Sequence, residues 1–195
     1  MNLNRSHVPN FVFALALVAL SACAHSSPAV PTSAIELVGT DGRTRRFEEL
    51  TQNNAATVLV FFSATCPCMR VHDERLKTLA KHFSERGVQV YVVDSEYSAT
   101  VERDAHEAES RGYPFPILLD AHSQLMEALG AQYATYSVVL DATGHVRYRG
   151  GFDSDKNQLH DDARPYLMNA VEDVASGREP KTSETKALGC SLQRW

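Results

Sequence analysis

Thr57-Val58-Leu59-Val60-Phe61-Phe62-Ser63-Ala64-Thr65-Cys66-Pro67-Cys68 is the stretch on which the fold turns. Its first six residues are β-branched, aliphatic and aromatic without interruption, as in a strand buried on both faces. Ser63-Ala64-Thr65 then breaks the run, and a helical pattern extends from Met69 to about Arg86, with Leu76, Leu79, Ala80 and Phe83 on one stripe. Pro67 suits the first position inside a helix, which makes Cys66 the expected N-cap. The sulfur of an N-cap cysteine faces unpaired N–H groups and the positive end of the helix dipole, an environment that favours thiolate.

Counting back by four from Leu76 gives His72 and then Cys68, so both are expected on the core-facing stripe. Cys66 is expected at the rim as the more exposed sulfur, the attacking thiolate, with Cys68 sharing part of the dipole field as its resolving partner. A bond between thiols one residue apart closes almost no loop and stabilises little. The pair therefore points to redox or metal chemistry rather than to a structural staple. His72 reads either as a hydrogen-bonded, partly buried histidine or as a tuner or ligand of Cys68.

Working outward, Ile35–Val38 and Arg43–Phe47 flank Asp41-Gly42 as an N-terminal hairpin. Val88–Asp94 is a second apolar strand, Ser98–Arg111 a polar helix, and Pro116–Leu119 a short extended piece. Gln124–Leu129 is a short helix stopped by Gly130. Ser137–Leu140 and His145–Arg149 form a hairpin, and Ala163–Ala175 the last helix. Strands that alternate with helices and close on a hairpin predict an α/β domain, a central mixed β-sheet flanked by helices. The net charge of −5, with no run of Lys or Arg, gives no support to nucleic-acid binding.

The N-terminus reads as an address. Arg5 precedes the ten-residue apolar run Phe11–Leu20, too short to span a bilayer and laid out like a secretory signal. Leu20-Ser21-Ala22-Cys23 resembles the bacterial lipoprotein signal. That resemblance implies a signal peptide over 1–22, lipid on Cys23 and a tether over 23–34, ahead of a domain over 35–177 and a tail over 178–195 carrying Cys190. It implies a lipid-anchored protein of the cell envelope, at the outer membrane and facing the periplasm, where disulfides persist. Of the four cysteines, Cys66, Cys68 and Cys190 then remain for chemistry.

The order strand, cysteine turn, helix, strand, helix, strand, hairpin, helix resembles the thioredoxin fold. Val58–Pro67, Tyr113–Asp120 and Val138–Gly144 are similar to its redoxin branch, grouped with alkyl hydroperoxide reductases and thiol-specific antioxidants. The resemblance spans about Ile35 to Ala175 and implies thiol redox chemistry at Cys66 and Cys68, tuned by Thr65 and Pro67, with no organic cofactor. The chain departs from the usual pattern in several places. Met69 stands where a Cys-x-x-Cys motif has its second thiol. Thr135 or Tyr136 stands where a cis-proline normally precedes the facing strand. Leu59 and Ser63 replace the Pro and Thr of a peroxidatic motif, and Arg147 and Arg149 read as solvated rather than peroxide-polarising. Cys190 is either a third thiol folded over the site or an unengaged terminal cysteine.

Three functions follow as expectations. The first is an envelope thiol–disulfide oxidoreductase exchanging electrons with another envelope thiol protein. The second is a copper-binding module holding Cu(I) through Cys66, Cys68 and His72 or Cys190, with His122, His145 and His160 as candidate distant ligands. The third is a thiol peroxidase with antioxidant activity through a low-pKa Cys66.

Overall fold

The computed structural model describes Met1 and residues 34–195. The expected signal peptide beyond Met1, the expected lipid site Cys23 and the expected tether as far as residue 33 lie outside the described residues. Among the described residues no helix is long and apolar enough to cross a membrane.

Among the described residues, seven strands form one mixed sheet. In chain order they are β1 (Glu36–Gly39), β2 (Thr44–Arg46), β3 (Ala56–Phe62), β4 (Val88–Asp94), β5 (Ile117–Leu119), β6 (Ser137–Asp141) and β7 (Val146–Gly150). Their order across the sheet is β2-β1-β5-β4-β3-β6-β7. β3 runs parallel to β4, with Phe62 opposite Asp94, and antiparallel to β6, with Val60 opposite Ser137. Every residue of β3 is buried, which is why its sequence shows no polar alternation. Among the described residues, four α-helices complete the fold: α1 (Pro67–Phe83), α2 (Val101–Arg111), α3 (Gln124–Leu129) and α4 (Tyr166–Ala175). α1 packs on β4, α2 on β5, and α4 on β3, β6 and β7. This is the expected α/β thioredoxin-like architecture, hairpin included.

The apolar stripe of α1 meets the sheet through Met69, Leu76, Leu79 and Phe83, all inaccessible to solvent. Each such side chain contributes about 1.5–3 kcal/mol of burial free energy. This seam fixes α1 against the sheet and therefore fixes the cysteines at its first turn.

Three helix boundaries differ from expectation, each for a local reason. α1 ends at Phe83 because Ser84 turns its hydroxyl back to the Lys81 carbonyl, leaving Arg86 outside. α2 begins after Thr100, whose Oγ1 accepts the Arg103 N–H at 3.2 Å, so the helix starts at Val101 rather than Ser98. α4 begins at Tyr166 because Pro165 disfavours helical geometry at Arg164 before it. Gly130 ends α3 as expected, in the left-handed conformation (φ 70°).

Candidate active site

β3 delivers the chain to the turn Ser63–Thr65, and Cys66 caps α1 in extended geometry with Pro67 just inside the helix. Arg70 N donates to the Cys66 carbonyl and Cys66 N to the Ser63 carbonyl, each at 3.2 Å. Ser63 and Thr65 hydroxyls lie 3.3 Å apart, and Thr65 and Pro67 are exposed.

Two expectations about the sulfurs are corrected. Cys66 is not the more exposed thiol: it is 2% accessible and Cys68 3%. Nor does the Cys66 side chain cap a helix N–H. Both differences have one cause. The C-terminal tail crosses the site and sets Cys190 Sγ 2.6 Å from Cys66 Sγ, so Cys66 is covered and its sulfur is engaged away from the helix. The expectation that the dipole field would favour thiolate at Cys68 is also reversed. Burial pushes the Cys68 thiol up, and proximity to Cys66 adds to the effect. Burial and contact with Cys66 push Cys190 up to about 12.

The three sulfurs all lie within 4.8 Å of one another. His72 does not join them. Its Nδ1 lies 2.6 Å from the Cys68 carbonyl and its Nε2 3.0 Å from Asp153 Oδ1. The ring is 1% accessible and fully engaged, which removes it from the copper set as a ligand. The distant candidates are engaged elsewhere: His122 lies against the Trp195 ring, His145 meets Thr143, and His160 meets Asp155. Arg147 pairs with Asp141 and Glu179, and Arg149 with Glu184.

Both partners of His72 are acceptors, so both ring nitrogens must donate and the ring is an imidazolium. Burial opposes that charge, but the hydrogen bonds to Asp153 and the Cys68 carbonyl outweigh it, and the pKa is raised above 6.5. Burial likewise opposes ionised Asp153, yet His72, the Asp155 N–H and Arg75 hold its pKa below the usual carboxylate value. The stabilisation from His72 is therefore fully present below its unfolded value of about 6.5 and is lost as pH rises through the raised folded value. That from Asp153 is present above the unfolded carboxylate value and is lost as pH falls through the depressed one. His72→Gln is expected to cost on the order of 2 kcal/mol near neutral pH, with the gap to the parent narrowing as pH rises. Urea midpoints of the two chains between pH 6 and 9 check this; a gap that does not change with pH contradicts the imidazolium.

Thr135 lies in the loop before β6, beside the tail segment that carries Cys190. It is 2% accessible and holds a left-handed backbone (φ 73°), rare for a β-branched residue. Thr135 N donates to the Phe61 carbonyl at 2.8 Å, which ties this loop to the end of β3.

Arg111 was not legible as a site residue. A basic residue in the last turn of a helix ordinarily complements the dipole at the surface, and no local pattern marks this one. Its side chain is instead buried. Nη2 donates to the Ala64 carbonyl at 3.0 Å, Nη1 to both Asp73 oxygens at 3.2 Å, and Nε to Glu107 at 2.8 Å. Tyr113 OH donates to the same Asp73. This network grips the turn that presents Cys66.

A mixed sheet of this topology, with cysteines gathered at the N-terminus of the helix after its central strand, defines a thiol redox protein of the thioredoxin-like class. The chain belongs to the Redoxin family, whose model matches residues 8–163. A hypothetical protein from Sinorhizobium meliloti is similar at 25% identity and TM-score 0.75, over 87% of this chain and 96% of that one. An uncharacterized conserved protein from Geobacillus kaustophilus is similar at 24% and 0.75, over 86% and 92%. A Mycobacterium tuberculosis peroxidoxin shares the fold at 22% identity and TM-score 0.53, over 73% and 88%. No curated protein matches the sequence. Cys190 lies beyond the residues matched to the family.

Proposed function

We propose that the protein is a thiol–disulfide oxidoreductase of the cell envelope, held there by lipid on Cys23 at the outer membrane and facing the periplasm. The observation that carries the catalytic reading is the gathering of three sulfurs at the first turn of α1, with Cys66 at the cap. Cys66 thiolate attacks one sulfur of a partner disulfide and expels the other as thiolate, leaving a mixed disulfide. Cys68, deprotonated, then attacks Cys66 Sγ and expels the partner's second thiolate. The partner has gained two electrons and the Cys66–Cys68 pair has lost them; an envelope thiol protein restores the pair, and the cycle reverses in an oxidant. Thr65 and Pro67 shape the turn, while His72 and Thr135 hold the backbone on either side of it. No organic cofactor takes part. A redox titration of the tether-free domain in glutathione buffers, with alkylation and mass mapping of each cysteine, tests this. A bond formed by Cys66 with a midpoint between about −270 and −120 mV is expected. Cys66 remaining a free thiol throughout that range rejects the proposal.

The sulfur cluster also favours a second reading, a Cu(I) site with Cys66, Cys68 and Cys190 as three soft ligands. Its mark is stoichiometric, thiol-dependent Cu(I) binding without disulfide exchange. The peroxidase reading gains less support, because Arg111, the guanidinium that reaches the cysteine turn, is already committed to Glu107, Asp73 and Ala64. Rapid peroxide consumption with a sulfenic acid on Cys66 would favour it over disulfide exchange.

A further inference from the structure

β4 ends at Asp94, and α2 brings Asp104 to it. Both residues are wholly inaccessible to solvent. Arg103 Nη2 donates to Asp94 Oδ2 at 2.6 Å and reaches Asp104 Oδ1 only at 3.4 Å. One guanidinium thus serves two buried acids. Glu96, in the loop after β4, opposes ionisation of Asp94, and Glu107, on α2, opposes that of Asp104. Among the described residues, Asp104 Oδ2 is the one buried side-chain polar atom without a partner. An ionised oxygen there would bear the full cost of a buried, unpaired charge. A proton on it removes the orphan, because the acid O–H then donates to the Asp94 carboxylate, which lies within hydrogen-bonding reach. Burial, and then the neighbouring Asp104, push Asp94 up to about 8, and burial raises Asp104 as well. Asp120, just past β5, has donors of its own in Leu125 N, Met126 N and Ser95 Oγ.

A chain of bonds leads from this pair to the C-terminal tail. Asp94 Oδ1 accepts the Glu96 N–H at 3.0 Å, and Glu96 Oε1 accepts the Gln193 N–H at 3.4 Å. Tyr97 N donates to the Gln193 carbonyl at 3.0 Å, and Trp195 N to Ser123 Oγ at 3.5 Å. Cys190, in the same short stretch, sets its sulfur on Cys66. We propose that a proton shared by Asp94 and Asp104 latches the end of the tail: while it is held, the loop 95–97 grips Gln193, and its loss releases the tail and uncovers Cys66. Without that proton two buried carboxylates face one guanidinium. Swinging Asp94 out to water relieves the repulsion, but it pulls Glu96 off its anchor and gives up both bonds to Gln193. The proton passes to water and no covalent bond changes. The latched fold raises the pair above the ordinary carboxylate range. Its stabilisation is therefore complete below that range, declines as pH rises, and is exhausted once pH passes about 8. Within this window each pH unit multiplies the open population by up to about tenfold.

Amide hydrogen exchange on the reduced full chain reads the latch, and alkylation of Cys66 by iodoacetamide, mapped by mass, reads the cover. The protection factor of the Tyr97 N–H is expected to fall about tenfold or more between about pH 6 and 8 and to level off above that. The Phe61 N–H, bonded to the Tyr136 carbonyl, should keep its protection over the same range. In Asp104→Asn the amide donates to Asp94 as the acid does, yet has no proton to lose, so Tyr97 protection should stay constant. The ratio of Cys66 alkylation in the parent to that in Asp104→Asn should rise by a similar factor, since ionisation of the thiol cancels in the ratio. Constant Tyr97 protection in the parent overturns the latch, and that result is read without the variant. A folded Asp104→Asn chain that repeats the parent's pH dependence overturns it too, because another group then titrates. A fall in Tyr97 protection with a constant alkylation ratio overturns the link to Cys66. Neither readout needs Cys66 to exchange disulfides, so the latch and the catalytic reading stand or fall separately.

Discussion

A Cys66→Ser chain is expected to lose disulfide exchange to background, a fall of about a thousandfold or more, because no other sulfur can make the first attack. Cys68 and Cys190 both hold their protons more tightly than an unperturbed thiol, through burial first and through contact with Cys66 second. Neither is therefore placed to make the first attack, which falls to Cys66 at the N-cap position of α1. The other two single variants distinguish roles. Cys68→Ser should still attack and then stall, so a peptide disulfide leaves its cysteine-bearing half on Cys66, visible as a mass increase that dithiothreitol removes. Cys190→Ser should still turn over. If instead Cys190→Ser stalls and Cys68→Ser turns over, the tail thiol is the resolving partner and Cys68 is a bystander. Undiminished exchange by Cys66→Ser rejects the mechanism outright.

The parts of this site that were legible in the sequence are those set by near neighbours. An unbroken apolar run announced β3, Pro67 announced the first turn of α1, and spacing of four placed Cys68 and His72 on its buried face. Gly130 announced the end of α3. What stayed open, as for Cys190, or escaped is set by residues distant in the chain. Cys190 lies 124 residues from Cys66, and the tail that carries it both covers that sulfur and draws it off the helix cap. His72 meets Asp153 across 81 residues, a contact that turns a possible sulfur ligand into a buried cation. No periodicity encodes such pairings, because strand order and loop path decide them and local propensity does not. The start of α4 differs in kind: Pro165 is visible in the sequence, and its effect on Arg164 moves the first turn from Ala163 to Tyr166.

Replacing Arg111 with methionine is expected to destabilise the fold by about 3–5 kcal/mol, the cost of leaving a buried charge without its partner. The guanidinium is 1% accessible and Asp73 11%. Arg111 also lies over the Phe62 ring, 5.0 Å from its centroid, so its removal opens space at the end of β3 as well. In a chain of this length the loss corresponds to a fall in Tm of roughly 10 °C or more. Arg111→Lys should recover only part of it, since an ammonium cannot bridge Glu107, Asp73 and the Ala64 carbonyl together. Adding Asp73→Asn to Arg111→Met should return about 1–2 kcal/mol by removing the stranded carboxylate, a coupling that a purely steric effect would not show. Activity should fall even in folded Arg111→Met, because the freed Ala64 carbonyl loosens the turn whose Ser63 carbonyl receives the Cys66 N–H. Denaturation of the four chains, paired with exchange rates on hydroxyethyl disulfide, separates the two effects. A loss below about 1 kcal/mol in Arg111→Met would mean that the α1 seam alone positions Cys66. The expected loss, with slowed exchange, makes this ion network the second support of the thiol turn, acting from α2 as β3 acts from the sheet.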